Sequence, residues 1–203
     1  MRSAVILGGG KSSRFNYTDK SFINFERKPL LKHVIESVSG VVDELIIAIQ
    51  DEDKICDIEK MFDVKVVIDR VKGFGPVAGI SAGLKASSTE YSIILACDMP
   101  YTNREVISLL FDRAEGYDAA IPKWEDELIE PLYAVYRRES MIKATKNAIE
   151  EGKHKVSYPI SRLPEINYVP IKVIREIDPE LKSFININTP KDLNKLSNNL
   201  KKD

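Results

Sequence analysis

The chain has 203 residues, 43% of them apolar and 30% charged, which suits one sizeable globular core and does not require two domains. Its formal net charge of −1 leaves no basic excess for gripping a nucleic-acid backbone, and no apolar run reaches the length of a membrane span. Two isolated cysteines, Cys56 and Cys97, and two histidines, His33 and His154, argue against a disulfide framework and a histidine-rich metal centre.

The N-terminal stretch MRSAVILGGG meets glycine too early for a signal peptide, so a reducing cytoplasm is the expected setting. Residues 3–7 (SAVIL) predict a short buried strand, and 8–20 a long polar loop. Pro29 opens a helix with Leu30, Leu31, Val34, Ile35 and Val38 at helical spacing, and Gly40 stops it. A strand over 44–50, an amphipathic helix over 51–62 with an acidic first turn, and a strand over 64–69 follow. GFGPVAG breaks the chain before a helix over 77–86. Residues 91–97 (YSIILAC) predict a fourth strand, ending at Asp98-Met99-Pro100. A helix over 103–115 and strands over 118–122, 131–137 and 168–174 come next. Residues 184–196 (FININTPKDLNKL) are expected to end a strand and enter a helix, with Thr189 as cap and Pro190 in the first turn. The lysine-rich end reads as a frayed tail.

Unbroken apolar strands alternating with helices predict a mostly parallel sheet covered on both faces, a three-layer α/β/α arrangement. No internal repeat or linker-like stretch divides 1–203, so one domain is expected. In such a sheet ligands bind outside the carboxyl ends of the strands. The loop over 8–20, Asp69, Asp98, and Asn186 with Asn188 are the polar features near predicted strand ends.

LGGGKSSR (7–14) does not fit the phosphate loop G-x-x-x-x-G-K-[ST], whose first glycine would fall on Val5, inside the strand. It fits the dinucleotide fingerprint poorly, because Ser13 stands at the third glycine position and the next strand ends about twice too far on, at Gln50. Bare backbone at Gly8, Gly9 and Gly10, with Lys11, Arg14 and Lys20 in one loop and two serine hydroxyls, suits a nucleoside triphosphate. A tight turn carrying solvated charges is the plainer alternative.

LGGGKSSRFNYTDK (7–20) resembles the signature L-A-G-G-x-S-x-R-M-G-x-x-D-K of the molybdenum cofactor guanylyltransferases, members of a superfamily of Rossmann-like nucleotidyltransferases. The resemblance continues through KPLLKHV (28–34), GPVAGISAGL (75–84), ACDMPY (96–101), EPLYAVY (130–136) and FININTPKDL (184–193), in order over nearly the whole chain. It implies transfer of GMP from GTP to the terminal phosphate of molybdopterin, with Mg²⁺ present and pyrophosphate leaving. It implies that Leu7, Gly8, Gly9 and Gly10 hold the nucleotide through their backbone, and that Asp69 contacts it. Lys20 matches the phosphate-contacting lysine, Arg14 the signature arginine, and Asp98 the metal-binding aspartate. Asn186 and Asn188 match the N-x-N motif on the acceptor side. The related cytidylyltransferases read L-A-A-G, so Gly9 favours GTP over CTP. This chain departs from the pattern at Gly8, Phe15, Asn16, Arg27 and Ala48, which replace Ala, Met, Gly, Gly and Asn.

The basic stretch GKHKV (152–156) matches one that helps receive the anionic pterin, although a solvated turn serves equally. Trp124 and Tyr133 are candidates for stacking on a pterin or for the core. The resemblance thus divides the chain into a nucleotide-binding half, 1–100, and an acceptor-binding half, 101–203. A molybdoenzyme or its chaperone is the implied downstream partner, with no nucleic acid or membrane involved. The alternatives are a nucleotidyltransferase using CTP or another small phosphate, and a non-catalytic nucleotide- or cofactor-binding protein.

Overall fold

The computed structural model describes residues 1–8 and 20–199. The central strand β1 (Arg2–Leu7) has five consecutive buried residues, as expected of a strand covered on both faces. It pairs in parallel with β4 (Glu44–Ile49) on one side and β6 (Tyr91–Ala96) on the other. Among the described residues the sheet has the order β5-β4-β1-β6-β8-β7-β9, with β5 at Lys65–Ile68, β7 at Ala119–Lys123, β8 at Tyr133–Arg137 and β9 at Ile166–Pro170. Only β8 runs against its neighbours, returning from β7 through the hairpin around Trp124–Leu128.

The period-two alternation of the strands sorts their side chains into two cores. Ala4 and Ile6 face helices α1 (Leu30–Val38), α2 (Ile55–Phe62) and α4 (Arg104–Ala114). Val5 and Leu7 face α3 (Pro76–Ala86) and α5 (Arg138–Glu150). The result is the expected three-layer α/β/α architecture. From β1 the chain winds outward through α1, β4 and α2 to β5, then α3 carries it back to β6 on the other side of β1. That reversal opens a crevice at the carboxyl ends of β1 and β6.

The structure corrects two expectations. The strand placed at 168–174 lies at Ile166–Pro170 and gives way to the short helix α7 (Ile171–Arg175), after a short α6 (Ser157–Ile160). Pro170 has no N–H to continue a ladder, and its fixed φ of −61° leads into the helix. No strand forms at 184–188. Instead the Asp178 carboxylate accepts the Lys182 N–H at 3.1 Å and the Ser183 N–H at 2.8 Å, curling 182–184 into a 3-10 turn.

A small satellite core lies beside the crevice. Strands β2 (Asn24–Phe25) and β3 (Lys28–Pro29) form a hairpin whose turn residues, Glu26 and Arg27, have φ of +49° and +68°. Phe25, Leu30 and Ile187 pack together with Tyr101, Leu193 and Leu196. This cluster ties the start of α1 to helix α8 (Pro190–Asn199), and so brings residues 25–30 and 187–196 to one place.

Candidate active site

Leu7 closes β1 and hands the chain to Gly8. The Leu7 carbonyl accepts the Cys97 N–H at 3.2 Å, and the Gly8 N–H donates to the Ala48 carbonyl at 2.8 Å. Both groups are engaged in the sheet, and the Leu7 carbonyl keeps a second lone pair. A Cβ on residue 8 would sit 2.5 Å from Ile49 Cγ2 and 3.3 Å from the Ala48 carbonyl oxygen. Ile49 therefore occupies the room an alanine would need, which accounts for Gly8 in a motif that elsewhere has Ala. Gly9, Gly10 and Arg14 lie outside the described residues, and of Lys20 only the backbone is described, at the start of the 3-10 turn Lys20–Phe22.

Helix α3 points its amino terminus at the same crevice. Gly79 packs against Leu7 and Gly83 against Val5, so the helix runs antiparallel to β1 and its first turn lies past the strand's end. Gly75, at φ +50° and ψ −129°, and Pro76 start the helix there. Pro76 carries no N–H, and the Val77 and Gly79 N–H groups donate to the Phe74 and Gly75 carbonyls at 3.2 and 3.3 Å, so it is the dipole of α3 that favours negative charge in the crevice.

Asp69 stands just beyond β5, with 5% of its surface exposed. Its N–H donates to the Ile49 carbonyl at 2.7 Å; its Oδ1 accepts the Val71 N–H at 2.9 Å and its Oδ2 accepts Gln50 Nε2 at 3.1 Å. Asp69 thus caps its own loop, and each oxygen has a further lone pair. Gln50 as the group that orients Asp69 was not visible in the sequence, because the contact needs β4 beside β5.

Asp98 follows β6 and is 9% exposed. The turn after it is closed by the Thr102 hydroxyl, which donates to the Met99 carbonyl at 2.7 Å. The Asp98 carbonyl accepts the Ile187 N–H at 2.9 Å, which draws the flanking Asn186 and Asn188 to the same strand end. Asn186 Nδ2 donates to the Phe184 carbonyl at 3.3 Å.

Asp192 Oδ2 accepts the N–H groups of Asn188 at 3.0 Å and Thr189 at 2.8 Å, and the Thr189 hydroxyl accepts the Asp192 N–H at 3.2 Å. This is a capping box with Asp in the Glu position. Hydrogen bonding with Thr189, then the two N–H groups and the charge of Lys195, holds the Asp192 carboxyl below its usual range against the cost of burial. The cap therefore falls to Thr189 and Asp192, not to the asparagine side chains.

Gly8 lies between Asp69 on one flank and Asp98 with the asparagines on the other. From β5 to β6 is three strand spacings, about 14 Å, a span over which an extended nucleotide can be laid. Among the described residues no group of three or more His, Cys, Asp or Glu could cage a metal. A single near-buried carboxylate such as Asp98 fits Mg²⁺, which binds through one or two carboxylates while substrate phosphates and waters complete its shell.

The remaining candidates divide. Tyr133 is fully buried and its hydroxyl bonds the Asn103 N–H and carbonyl at 3.1 and 3.2 Å, so it belongs to the core, and burial pushes its phenol well up. Trp124 is half-buried at the end of β7. In the basic stretch, His154 Nδ1 lies 3.0 Å from the Gly73 carbonyl and its ring stacks 4.4 Å from Phe74. Lys153 and Lys155 are exposed, and the segment is docked beside the start of α3.

A family profile described as the MobA-like NTP transferase domain matches residues 4–163. The chain is 40% identical to a probable molybdenum cofactor guanylyltransferase of Methanosarcina mazei, covering 95% of this chain and 88% of the relative. It is 34% identical to another from Natronomonas pharaonis, with 95% of each chain covered. Its structure superposes on that of molybdopterin-guanine dinucleotide biosynthesis protein A from Archaeoglobus fulgidus with a TM-score of 0.85, at 31% identity over 100% of both chains. The 4-diphosphocytidyl-2C-methyl-D-erythritol synthase of Anaerococcus prevotii shares the fold, with a TM-score of 0.71 at 17% identity over 99% of this chain and 98% of that one.

Proposed function

The chain belongs to the MobA-like NTP transferase family, and from that premise we infer that it is a guanylyltransferase that forms molybdopterin guanine dinucleotide. GTP and molybdopterin are its substrates. The observation that carries the reading is the Ile187-to-Asp98 hydrogen bond of 2.9 Å, which brings the acceptor-side asparagines to the strand end beside Gly8.

A terminal phosphate oxygen of molybdopterin attacks the α-phosphorus of GTP. The bond from that phosphorus to the β-phosphate bridging oxygen breaks, and pyrophosphate leaves with both electrons of the bond. Such a reaction needs alignment and charge neutralisation more than acid–base chemistry. In this reading the Gly8–Gly10 backbone and Asp69 hold the nucleoside, while the first turn of α3 favours its phosphates. Arg14 and Lys20 neutralise charge developing toward pyrophosphate. Asn186 and Asn188 orient the acceptor phosphate. Asp98 would hold Mg²⁺, which lowers the charge repulsion between nucleophile and triphosphate. Residues 1–100 thus serve the nucleotide and 101–203 the acceptor. A cytoplasmic setting and delivery of product to a molybdoenzyme or its chaperone complete the proposal. Among the described residues no helix is long and apolar enough to cross a membrane.

The test is pyrophosphate release with Mg²⁺ and molybdopterin, comparing GTP with CTP and wild type with Asp98→Ala. We expect turnover with GTP, little with CTP, and a fall of about 10²–10³ or more in kcat for the variant. Equal use of CTP would refute the base assignment, and an active variant would refute the role of Asp98.

A further inference from the structure

The hairpin between β7 and β8 carries an aromatic group that the transfer reaction leaves without a role. β7 runs parallel to β6, so its carboxyl end comes out at the same sheet edge as Asp98. Trp124 is the next residue, half-buried, and it is the one tryptophan of the chain. Its N–H donates to the Leu128 carbonyl at 2.8 Å, which closes the hairpin. Its indole Nε1 donates to Glu130 Oε1 at 2.7 Å. Its ring meets Phe184 edge-on, centroids 5.7 Å apart at 65°, and Phe184 meets the buried Tyr133 at 5.2 Å and 63°. The Phe184 carbonyl in turn accepts Asn186 Nδ2. One chain of contacts therefore joins the indole to the acceptor-side asparagine.

Glu130 fits a positioning role. It is half-buried, and the Glu130 N–H is fixed on the Pro122 carbonyl at 3.0 Å. Burial pushes its carboxyl up, and the Trp124 N–H counters part of that push. A carboxylate in so costly a place, bonded to the polar corner of an indole, sets the plane of the ring. The indole is thus held at its nitrogen and at one edge; it packs with Phe184 against the core and stays partly exposed just past the carboxyl end of β7.

We propose that Trp124 is a stacking platform for the flat bicyclic ring of the acceptor, with Glu130 as the residue that positions it. The platform selects an aromatic acceptor over a sugar phosphate that reacts through the same kind of phosphate oxygen. This rests on the reading of the chain as a molybdopterin guanylyltransferase. Phe184 and Tyr133 make the wall behind the platform, and Asn186 lies at the side where the acceptor phosphate would reach the nucleotide.

Trp124 emission offers a direct readout, since no other indole contributes. Titrating wild-type protein with molybdopterin should shift or quench it, whereas glucose 1-phosphate should not. In turnover, Trp124→Ala should raise KM for molybdopterin about 10-fold or more and leave KM for GTP within about twofold. Trp124→Phe should keep most of the affinity, because it keeps an aromatic face. Glu130→Gln should behave as wild type, since its carbonyl oxygen still accepts the indole N–H, and Glu130→Leu should behave like Trp124→Ala. If Trp124→Ala does not fold, the wild-type titration and the Glu130 pair still decide the matter. Normal turnover with neither an emission change nor a KM shift overturns the platform while the activity stands. An emission change without turnover supports the platform and overturns the transferase reading. Neither signal overturns both.

Discussion

Replacing Gly83 by alanine tests how tightly α3 must sit on β1 for the crevice to form. The added Cβ would lie 2.2 Å from Val5 Cγ1, 3.1 Å from Cγ2 and 3.2 Å from Cβ. Val5 cannot swing away: it is fully buried, β-branched, and pairs with Ile46 on one side and Ile94 on the other. The helix must instead lift by roughly 1 Å, loosening Ile80 and Leu84 in the core beneath it. Overpacking of this kind costs about 1–3 kcal/mol, and alanine's better helix propensity returns about 1 kcal/mol. The expected net loss is up to about 2 kcal/mol, or up to about 8 °C in Tm for a chain of this size. Urea unfolding should be run beside Gly79→Ala, whose Cβ meets only the flexible end of Leu7, Cδ2, at 3.2 Å. That control should be neutral or slightly stabilising. The double variant Val5→Ala with Gly83→Ala should lose less than the two single losses combined, because the truncated side chain makes room. On the proposed function, in which the start of α3 faces the phosphates, KM for GTP should also rise for Gly83→Ala alone. A Gly83→Ala protein as stable as Gly79→Ala would show that the close approach does not constrain the fold.

Two further outcomes follow from local geometry. Arg27 holds φ +68° in the β2–β3 turn, a conformation that strains any residue with a Cβ. Arg27→Gly should therefore raise the unfolding free energy by about 0.5–1 kcal/mol after glycine's extra chain entropy is counted, and a lowered urea midpoint would contradict this. Glu44 tests a buried-edge carboxylate at the opposite end of the sheet. Burial opposes its ionisation, but the Ser88 N–H at 2.8 Å, the Ser88 hydroxyl at 3.1 Å and the charge of Lys65 outweigh burial and lower its pKa. Because the folded value lies below the unfolded one, ionised Glu44 adds stability above the ordinary glutamate value of 4.5, and that stability is lost as pH falls through the folded value. Glu44→Gln should thus be less stable than wild type at neutral pH, with the gap closing as pH falls below 4.5 and through the lowered folded value. A gap that does not change with pH would refute the assignment.

Much of the nucleotide side was legible in the sequence. Strands buried on both faces read as unbroken apolar runs, and the loops after β1, β5 and β6 carried the polar residues that a parallel sheet gathers at one edge. The acceptor side was less legible. Phe184-Ile185-Asn186-Ile187 has the look of a strand, yet Asp178 captures two backbone N–H groups just before it and turns the chain. Ile187 then finds a partner in the Asp98 carbonyl instead of a ladder. The contacts of Gln50 and Glu130 were not legible in the sequence for a related reason. Each acts on a residue that only becomes a neighbour once a strand pairing or a hairpin has formed, Gln50 on Asp69 and Glu130 on Trp124.

What the sequence determined by itself was local and periodic: which segments bury one or both faces, where glycine opens the backbone, and which charged residues follow strand ends. The motifs LGGGKSSRFNYTDK, ACDMPY and FININTPKDL were enough to point to the family by resemblance. The tertiary structure decided which ends meet. The sharing of β1 between the outward and the returning halves of the sheet sets the crevice, and Phe25, Leu30 and Ile187 close residues far apart in the chain onto it. Burial of apolar surface drives that closure, and it depends on area rather than on sequence separation, so no local pattern could have announced it.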